Sequence, residues 1–227
     1  MTFGAVFPRV FRPAFGPGLA GAAAAANWWE AGGVTAANCI AAYTPKGAAS
    51  LAASYDNNAA PGNGLADGTY DAAPGVAPTW ASGTGWTFNG INQYLICSYG
   101  FPSGTSVLVR YSGVNTAGNV AIFGQDKNRL KPAVGATQEY KYGGTSAFAL
   151  HVAAAAGVMG MTPSAAYFDG VSLGTITPGA LYDVQPVWIG GQQPGSYSAC
   201  VIEALAIYNT TLSAPQVLAV STAMAAL

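Results

Sequence analysis

The spacing of apolar and polar positions changes character along this chain. In residues 1–36, Phe3, Phe7, Phe11 and Phe15 recur every four residues, a helical period, but Pro8, Pro13 and Pro17 with Gly4, Gly16 and Gly18 forbid a regular helix. The pattern predicts an extended arm carrying aromatic anchors. A short helical turn over Ala20–Ala26 follows, then Trp28 and Trp29 beside the hinge-like Gly32 and Gly33. Such an arm gains little by packing on itself, so its aromatics need a surface, either on this domain or on a neighbour. Between those two, an intersubunit anchor is the favoured role for Trp28 and Trp29, with capping of the domain as the other.

From residue 37 onward the period becomes two. Strands are predicted at 38–43 (NCIAAY), 86–88, 93–96, 106–111, 118–124, 145–153, 157–161, 165–168, 171–176, 187–191 and 199–208. Two dipeptides supply the positive φ of tight hairpin turns, Asn89-Gly90 within Trp80–Ile96 and Asp169-Gly170. Thr44-Pro45 opens a short helix or turn reaching about Ala53, and residues 55–78, rich in Asn, Asp, Gly, Ala and Pro, read as a long surface loop. The chain closes on a helix: Ser213 and Gln216 have capping-box spacing, Pro215 lies in the first turn, and Val217, Val220, Ser221 and Met224 share a face. Many short strands closed by one helix predict an all-β, two-sheet antiparallel sandwich over residues 37–227, preceded by the arm of residues 1–36.

Composition adds a constraint on the surface. Only 7% of residues are charged while 51% are hydrophobic, against about 25% charged in an ordinary soluble protein. Either much of the exterior is covered by other subunits, or the chain is a monomer with a neutral Ser/Thr/Asn/Gly surface. The net charge is −1. The one basic cluster, Lys127, Arg129 and Lys131, is interrupted by Asn128 and Leu130 and adjoins Asp126, so it reads as a solvated loop and nucleic acid is not an expected partner. No apolar run reaches the roughly 20 residues of a membrane span. Arg9 and Arg12 with three prolines break the early apolar stretch, so no cleaved signal peptide is expected.

Candidate chemistry is sparse. Cys39, Cys97 and Cys200 each fall inside a predicted strand and read as buried thiols, with a Cys39–Cys200 bridge as the alternative if the first and last strands are neighbours. No Cys or His pair has metal-ligand spacing, and His151 is the single histidine.

The phrases CIAAY, DNNAAPGNGLADGT, WTFNGINQYL, YFDGVSLGT and IGG…VIEALAIYNTTLSAPQV, in this order and spacing, resemble the laminin G-like or concanavalin A-like lectin/glucanase jelly roll. The resemblance covers roughly residues 37–227 and implies the jelly-roll form of the sandwich. In related last strands the positions of Ala204 and Ala206 often carry charge and that of Cys200 glycine. Alanine at 204 and 206 therefore implies a face covered by protein, and these two residues join Phe3, Phe7, Phe11, Phe15, Trp28 and Trp29 as expected assembly contacts. The glucanases of this architecture need two carboxylates, placed as Glu-x-Asp-x-Glu on one strand. Here Glu30, Glu139 and Glu203 are isolated, so no enzyme activity is expected.

Lectin-like members bind sugars through aromatic platforms with Asn/Asp hydrogen bonds. Trp80, Tyr94, Tyr140 and Tyr142 are the candidates here, whereas Trp86 and Trp188 are expected in the core. No cofactor is expected. Calcium is the ion that the resemblance brings in, with Asp56, Asn57, Asn58 and Asp67, or Asp126 and Asn128, as its candidate ligands, although Asn/Asp turns account for them equally well. Taken together, the leading expectation is a non-catalytic structural subunit of an extracellular or viral assembly, such as a bacteriophage decoration, tail or fibre protein. Its partners would be itself as a homo-oligomer and other virion subunits. The alternative is a carbohydrate-binding adhesion module recognising cell-surface glycans.

Overall fold

The computed structural model describes residues 27–59, 70–180, 185–193 and 195–227, apart from the side chains of 146–150. In chain order the first strands are β1 (Cys39–Tyr43), β2 (Ala72–Val76), β3 (Thr79–Ala81), β4 (Gly85–Asn89), β5 (Tyr94–Cys97) and β6 (Ser106–Ser112). Then come β7 (Asn119–Val120), β8 (Phe123–Gly124), β9 (Arg129–Val134), β10 (Thr137–Tyr142), β11 (Thr145–Val152) and β12 (Gly157–Met161). The last are β13 (Ala165–Phe168), β14 (Val171–Thr175), β15 (Val187–Ile189), β16 (Gly191–Gln192), β17 (Ser196–Tyr197) and β18 (Ala199–Tyr208). One turn of helix, α1 (Leu51–Ser54), follows β1, and α2 (Ala214–Ala225) ends the chain.

Two eight-stranded sheets result, with every strand pair antiparallel. The first runs β14-β13-β12-β6-β18-β4-β3 with β1 also on β18, and the second runs β11-β10-β9-β8-β15-β5-β2 with β7 on β9. The hairpin β16–β17 forms a small third sheet. Trp86, Tyr111, Leu95, Phe101, Phe123, Leu130, Tyr140 and Tyr142 fill the main core. This is the predicted all-β sandwich with a short C-terminal helix. Among the described residues, no helix is long and apolar enough to cross a membrane.

A second core lies outside the first sheet, and it revises two expectations. Ala204 and Ala206 are fully buried together with Ala42, Leu108, Tyr208, Val217, Val220 and Met224. They are not available to another subunit, because the chain's own second core, built from α2 and from Trp29 and Val34, buries them. The predicted face of α2, Val217, Val220, Ser221 and Met224, is the buried one, and Gln216 Oε1 accepts the Ser213 N–H at 3.0 Å as the capping box requires.

Trp29, 8% exposed, belongs to the same core, and its carbonyl accepts the Tyr208 hydroxyl at 3.0 Å. Trp28 donates its Nε1–H to Thr44 Oγ1 at 2.9 Å. Residues 27–36 are thus packed on the sandwich, and both tryptophans cap their own domain instead of standing free as intersubunit anchors. Phe3, Phe7, Phe11 and Phe15 lie outside the described residues.

The Asn89-Gly90 turn is not a hairpin, because β4 belongs to the first sheet and β5 to the second. Gly90 takes the positive φ of 72° that the dipeptide predicts. Asn89 Oδ1 accepts the N–H groups of Ile91, Asn92 and Gln93, at 2.9, 3.2 and 3.4 Å. These bonds make a corner that carries the chain across the sandwich. The true hairpin precedes it: Trp80 faces Trp86 and Ala81 faces Gly85.

The basic cluster is not a loop either. Arg129 and Lys131 alternate with Leu130 along β9, and Lys131 lies opposite Glu139 on β10, so these two charges share one face of a strand whose neighbour supplies a carboxylate.

Candidate functional site

The register of the second sheet builds a row of residues across its outer face. Ala73, Ile96, Trp188, Gly124, Arg129 and Lys141 lie opposite one another from β2 to β10, and directly opposed residues share a face. The alternating positions Leu95, Ile189, Phe123 and Leu130 are fully buried in the main core. The row therefore points away from the core.

Its aromatic end is a stack. Tyr94, two residues from Ile96, lies 4.0 Å from Trp188 between ring centroids, with 23° between planes. Tyr197, presented by the β16–β17 hairpin, lies 5.9 Å from Trp188 at 21° and 5.8 Å from Tyr94 at 43°. All three rings are half-buried. Glycine at 75 makes room for Tyr94, since a Cβ there would come within 2.2 Å of its ring.

The middle of the row is Gly124, which is itself buried. Gly124 adopts φ of 136°, and a Cβ there would lie 2.3 Å from Asn128 O. Gln193 N–H reaches Gly124 O at 3.5 Å, tying the small hairpin to this strand. The Oε1 atoms of Gln192 and Gln193 are buried with no hydrogen-bond partner among the described residues.

The other end is charged. Arg129 donates to both oxygens of Glu139, at 3.1 and 2.7 Å, and to Asp126 O at 3.2 Å. Lys131 donates to Asn119 Oδ1 at 3.1 Å and lies 3.9 Å from Glu139. Lys127 pairs with Asp126, and Lys141 lies 3.8 Å from it. Four cations thus face two carboxylates, an excess of two positive charges in a chain whose net charge is −1. The Lys127 hydrogen bond, reinforced by the nearby cations, holds Asp126 below its usual pKa. Burial, together with Arg129, lowers Lys131 and Lys141.

The predicted sugar platforms separate under this geometry. Tyr94 stands in the outward stack. Tyr140 and Tyr142 are fully buried; their hydroxyls reach the carbonyls of Tyr167, at 3.1 Å, and Thr105, at 2.9 Å. They hold the core and cannot meet a ligand. Trp80 packs on the edge of the main core with its Nε1–H on Pro45 O at 2.8 Å. Trp86 is core, as expected, but Trp188 is not: Val187 and Ile189 take the inward positions of β15 and turn Trp188 out. Tyr197 gave no sequence signal, since a two-residue strand shows no period.

Two glutamates on the sheets are each paired with cations. Glu139 is held by Arg129. Glu203 meets Lys46 at 3.1 Å and Arg110 at 3.0 Å. Burial would raise its pKa, but hydrogen bonds from Ser112 and Lys46 and the charge of Arg110 bring it below the usual value. His151 stacks on Phe168 at 4.5 Å, its Nδ1 2.9 Å from Val152 O.

The three cysteines are buried and free, and burial pushes their thiols up, Cys200 to about 12. Cys39 pairs opposite Tyr208, eight residues along β18 from Cys200, a separation of roughly 25 Å that no disulfide spans.

Of the donors considered for calcium, Asn57 and Asn128 are engaged by the backbone. Asn57 Oδ1 accepts the Ala42 and Ala59 N–H groups, both at 3.0 Å. Asn128 Oδ1 accepts Gly143 N–H at 2.8 Å, and Asp126 is surrounded by cations. Asp67 lies outside the described residues. Among the described residues, no group of three or more His, Cys, Asp or Glu could hold a metal ion.

No family model matches the chain, and no curated protein matches it by sequence. Solved structures do. The botulinum neurotoxin serotype D binding domain is similar at a TM-score of 0.57 and 11% identity, over 82% of this chain and 52% of that one. Trypanosoma rangeli sialidase is similar at 0.43 and 13%, over 62% and 27%. Domain 4 of a GH43 extracellular arabinanase from Geobacillus stearothermophilus, in complex with arabinotriose, is similar at 0.54 and 12%, over 81% and 98%. The chain spans about half of the neurotoxin binding domain and nearly all of the arabinanase domain. At these identities the likeness to the neurotoxin and arabinanase domains establishes the two-sheet β-sandwich.

Proposed function

We propose that the chain is a non-catalytic, carbohydrate-binding β-sandwich module whose platform is Tyr94, Trp188 and Tyr197. The observation that carries this reading is the outward aromatic stack of Tyr94, Trp188 and Tyr197. Aromatic faces complement the C–H faces of sugar rings, while polar groups at the margin fix orientation. The similarity in fold to a module bound to arabinotriose supports the reading.

The test is binding of the full chain to a glycan array, with Trp188→Ala and Tyr94→Ala as variants. Both rings are half-buried on an outer face, so the variants should stay folded, as circular dichroism would check. Binding lost in folded Trp188→Ala supports the reading; binding to no glycan at millimolar concentration defeats it.

A second role, as a structural subunit of an extracellular or bacteriophage assembly, is compatible with the first and is favoured by the 7% charged fraction and by the phenylalanines at 3, 7, 11 and 15. Because residues 27–36 are part of the sandwich, the informative deletion is 1–26. Oligomers or particle association by the full chain but not by the deletion variant supports this role. Monodisperse monomers from both, with no particle association, dispose of it.

A further inference from the structure

The glycan-binding reading leaves the charged end of the row unexplained. In a chain this poor in charge, four of the eight basic residues lie together: Arg129, Lys131 and Lys141 on one face of the second sheet, and Lys127 in the connection between β8 and β9. Two of them are committed: Arg129 to both oxygens of Glu139, and Lys131 to Asn119. Lys127 and Lys141 share a single carboxylate, Asp126. An ammonium group carries three donors, so both retain donor capacity for a further acceptor.

The register sets the distance over which that capacity can be used. Trp188 to Lys141 crosses β15, β8, β9 and β10, which is three strand spacings, or about 14 Å. That exceeds one sugar ring, so a ligand that reaches both ends must be an oligosaccharide.

Resting on the glycan-binding reading, we propose that the ligand is an anionic oligosaccharide: one ring lies on the Tyr94–Trp188–Tyr197 stack, and a carboxylate or sulfate further along the chain pairs with Lys127 and Lys141. The excess of two positive charges supplies the complementarity. The lowered pKa of Lys131 and Lys141, caused by burial and by Arg129, adds support, since an incoming anion relieves the mutual repulsion of these cations.

The experiment uses the full chain and matched neutral and acidic probes on one backbone. Oligogalacturonate is compared with its methyl ester, and dextran sulfate oligomers with dextran; the two pairs separate a carboxylate from a sulfate. Binding is measured by calorimetry at two salt concentrations. Wild type is expected to bind at least one acidic member about tenfold more tightly than its neutral counterpart, with the difference shrinking in salt. The double variant Lys127→Gln/Lys141→Gln should lose that difference while keeping its neutral affinity, and Trp188→Ala should weaken both members.

Equal binding of both members, unchanged in the double variant, overturns the acidic ligand and leaves the glycan reading standing. Acidic binding lost in the double variant but indifferent to Trp188→Ala is adsorption of charge without a seated ring, and overturns the proposal as well. Binding to no member removes the glycan reading and this inference together.

Discussion

Replacing Glu139 by glutamine keeps the shape of the side chain and removes its charge. The carboxylate is buried, with its side chain 2% exposed, and accepts two hydrogen bonds from Arg129, whose own side chain is 14% exposed. Lys131 lies 3.9 Å from it. In the variant, Asp126, 47% exposed, is the remaining carboxylate among four cations. Removing one partner of a buried pair costs about 3–5 kcal/mol. Arg129 keeps some solvent and its contact to Asp126 O at 3.2 Å, so a loss of about 2–3 kcal/mol is expected.

Guanidinium unfolding followed by tryptophan fluorescence reads this loss as a lower midpoint at unchanged slope. The double variant Arg129→Gln/Glu139→Gln should recover much of it, because the orphaned cation has gone. A loss below about 0.5 kcal/mol, or a double variant no better than Glu139→Gln, would refute the view that this buried carboxylate anchors the cationic face. The same substitution raises the excess on that face to three positive charges, so preference for acidic over neutral glycans should increase.

Three further outcomes follow from the packing and the titrating groups. Met224→Ala, at a fully buried position between α2 and the first sheet, should cost about 2–4 kcal/mol in chemical denaturation, by an amount independent of protein concentration; a concentration-dependent loss would point to a shared intersubunit core. Gly124→Ala should cost about 1–3 kcal/mol in thermal melting, because φ of 136° and the Asn128 carbonyl leave no room for a Cβ.

Stability should fall at both ends of the pH scale. Asp126 and Glu203 have depressed folded pKa values, so their contribution is present above the ordinary values of 3.8 and 4.5 and is lost as pH drops through the folded ones. Tyr43, Tyr111, Tyr140, Tyr208 and the three cysteines are raised by burial, so their contribution is present below the ordinary 9.0 and 10.0 and is lost as pH climbs. The lowered Lys131 and Lys141 act in the opposite sense at alkaline pH, but they are two groups against these seven and the likewise raised Tyr55 and Tyr99. A denaturation midpoint still rising above about pH 9 would contradict the buried placement of the tyrosines and thiols.

Much of the sandwich is legible in the sequence, because local rules govern it. Gly157–Met161, Ala165–Phe168 and Ala199–Tyr208 fall where alternation places them, and the apolar face of α2 is readable from its spacing. The Asp169-Gly170 turn closes a hairpin as its dipeptide predicts. The site is less legible. The alternation of Val187, Trp188 and Ile189 holds the sign that Trp188 turns outward, but a lone tryptophan between β-branched residues reads as core. Charge in β9 and β10 concealed two strands, since the pairing of Arg129 and Lys131 with Glu139 is invisible until the strands are adjacent.

By itself, then, the amino-acid sequence determined the local conformations: a period of two for strands, positive φ at Gly90 and Gly170, a capped helix at the end, and a low-charge surface. Tertiary structure decided which sheet each strand joins and which faces are covered. Asn89-Gly90 became a corner between sheets, Ala204 and Ala206 became the floor of a second core under α2, and Tyr94, Trp188 and Tyr197 met in one outward stack. The physical reason is range. Backbone sterics and side-chain alternation act over a few residues, whereas covering a sheet face or assembling an aromatic stack joins segments about a hundred residues apart, such as Tyr94 with Tyr197.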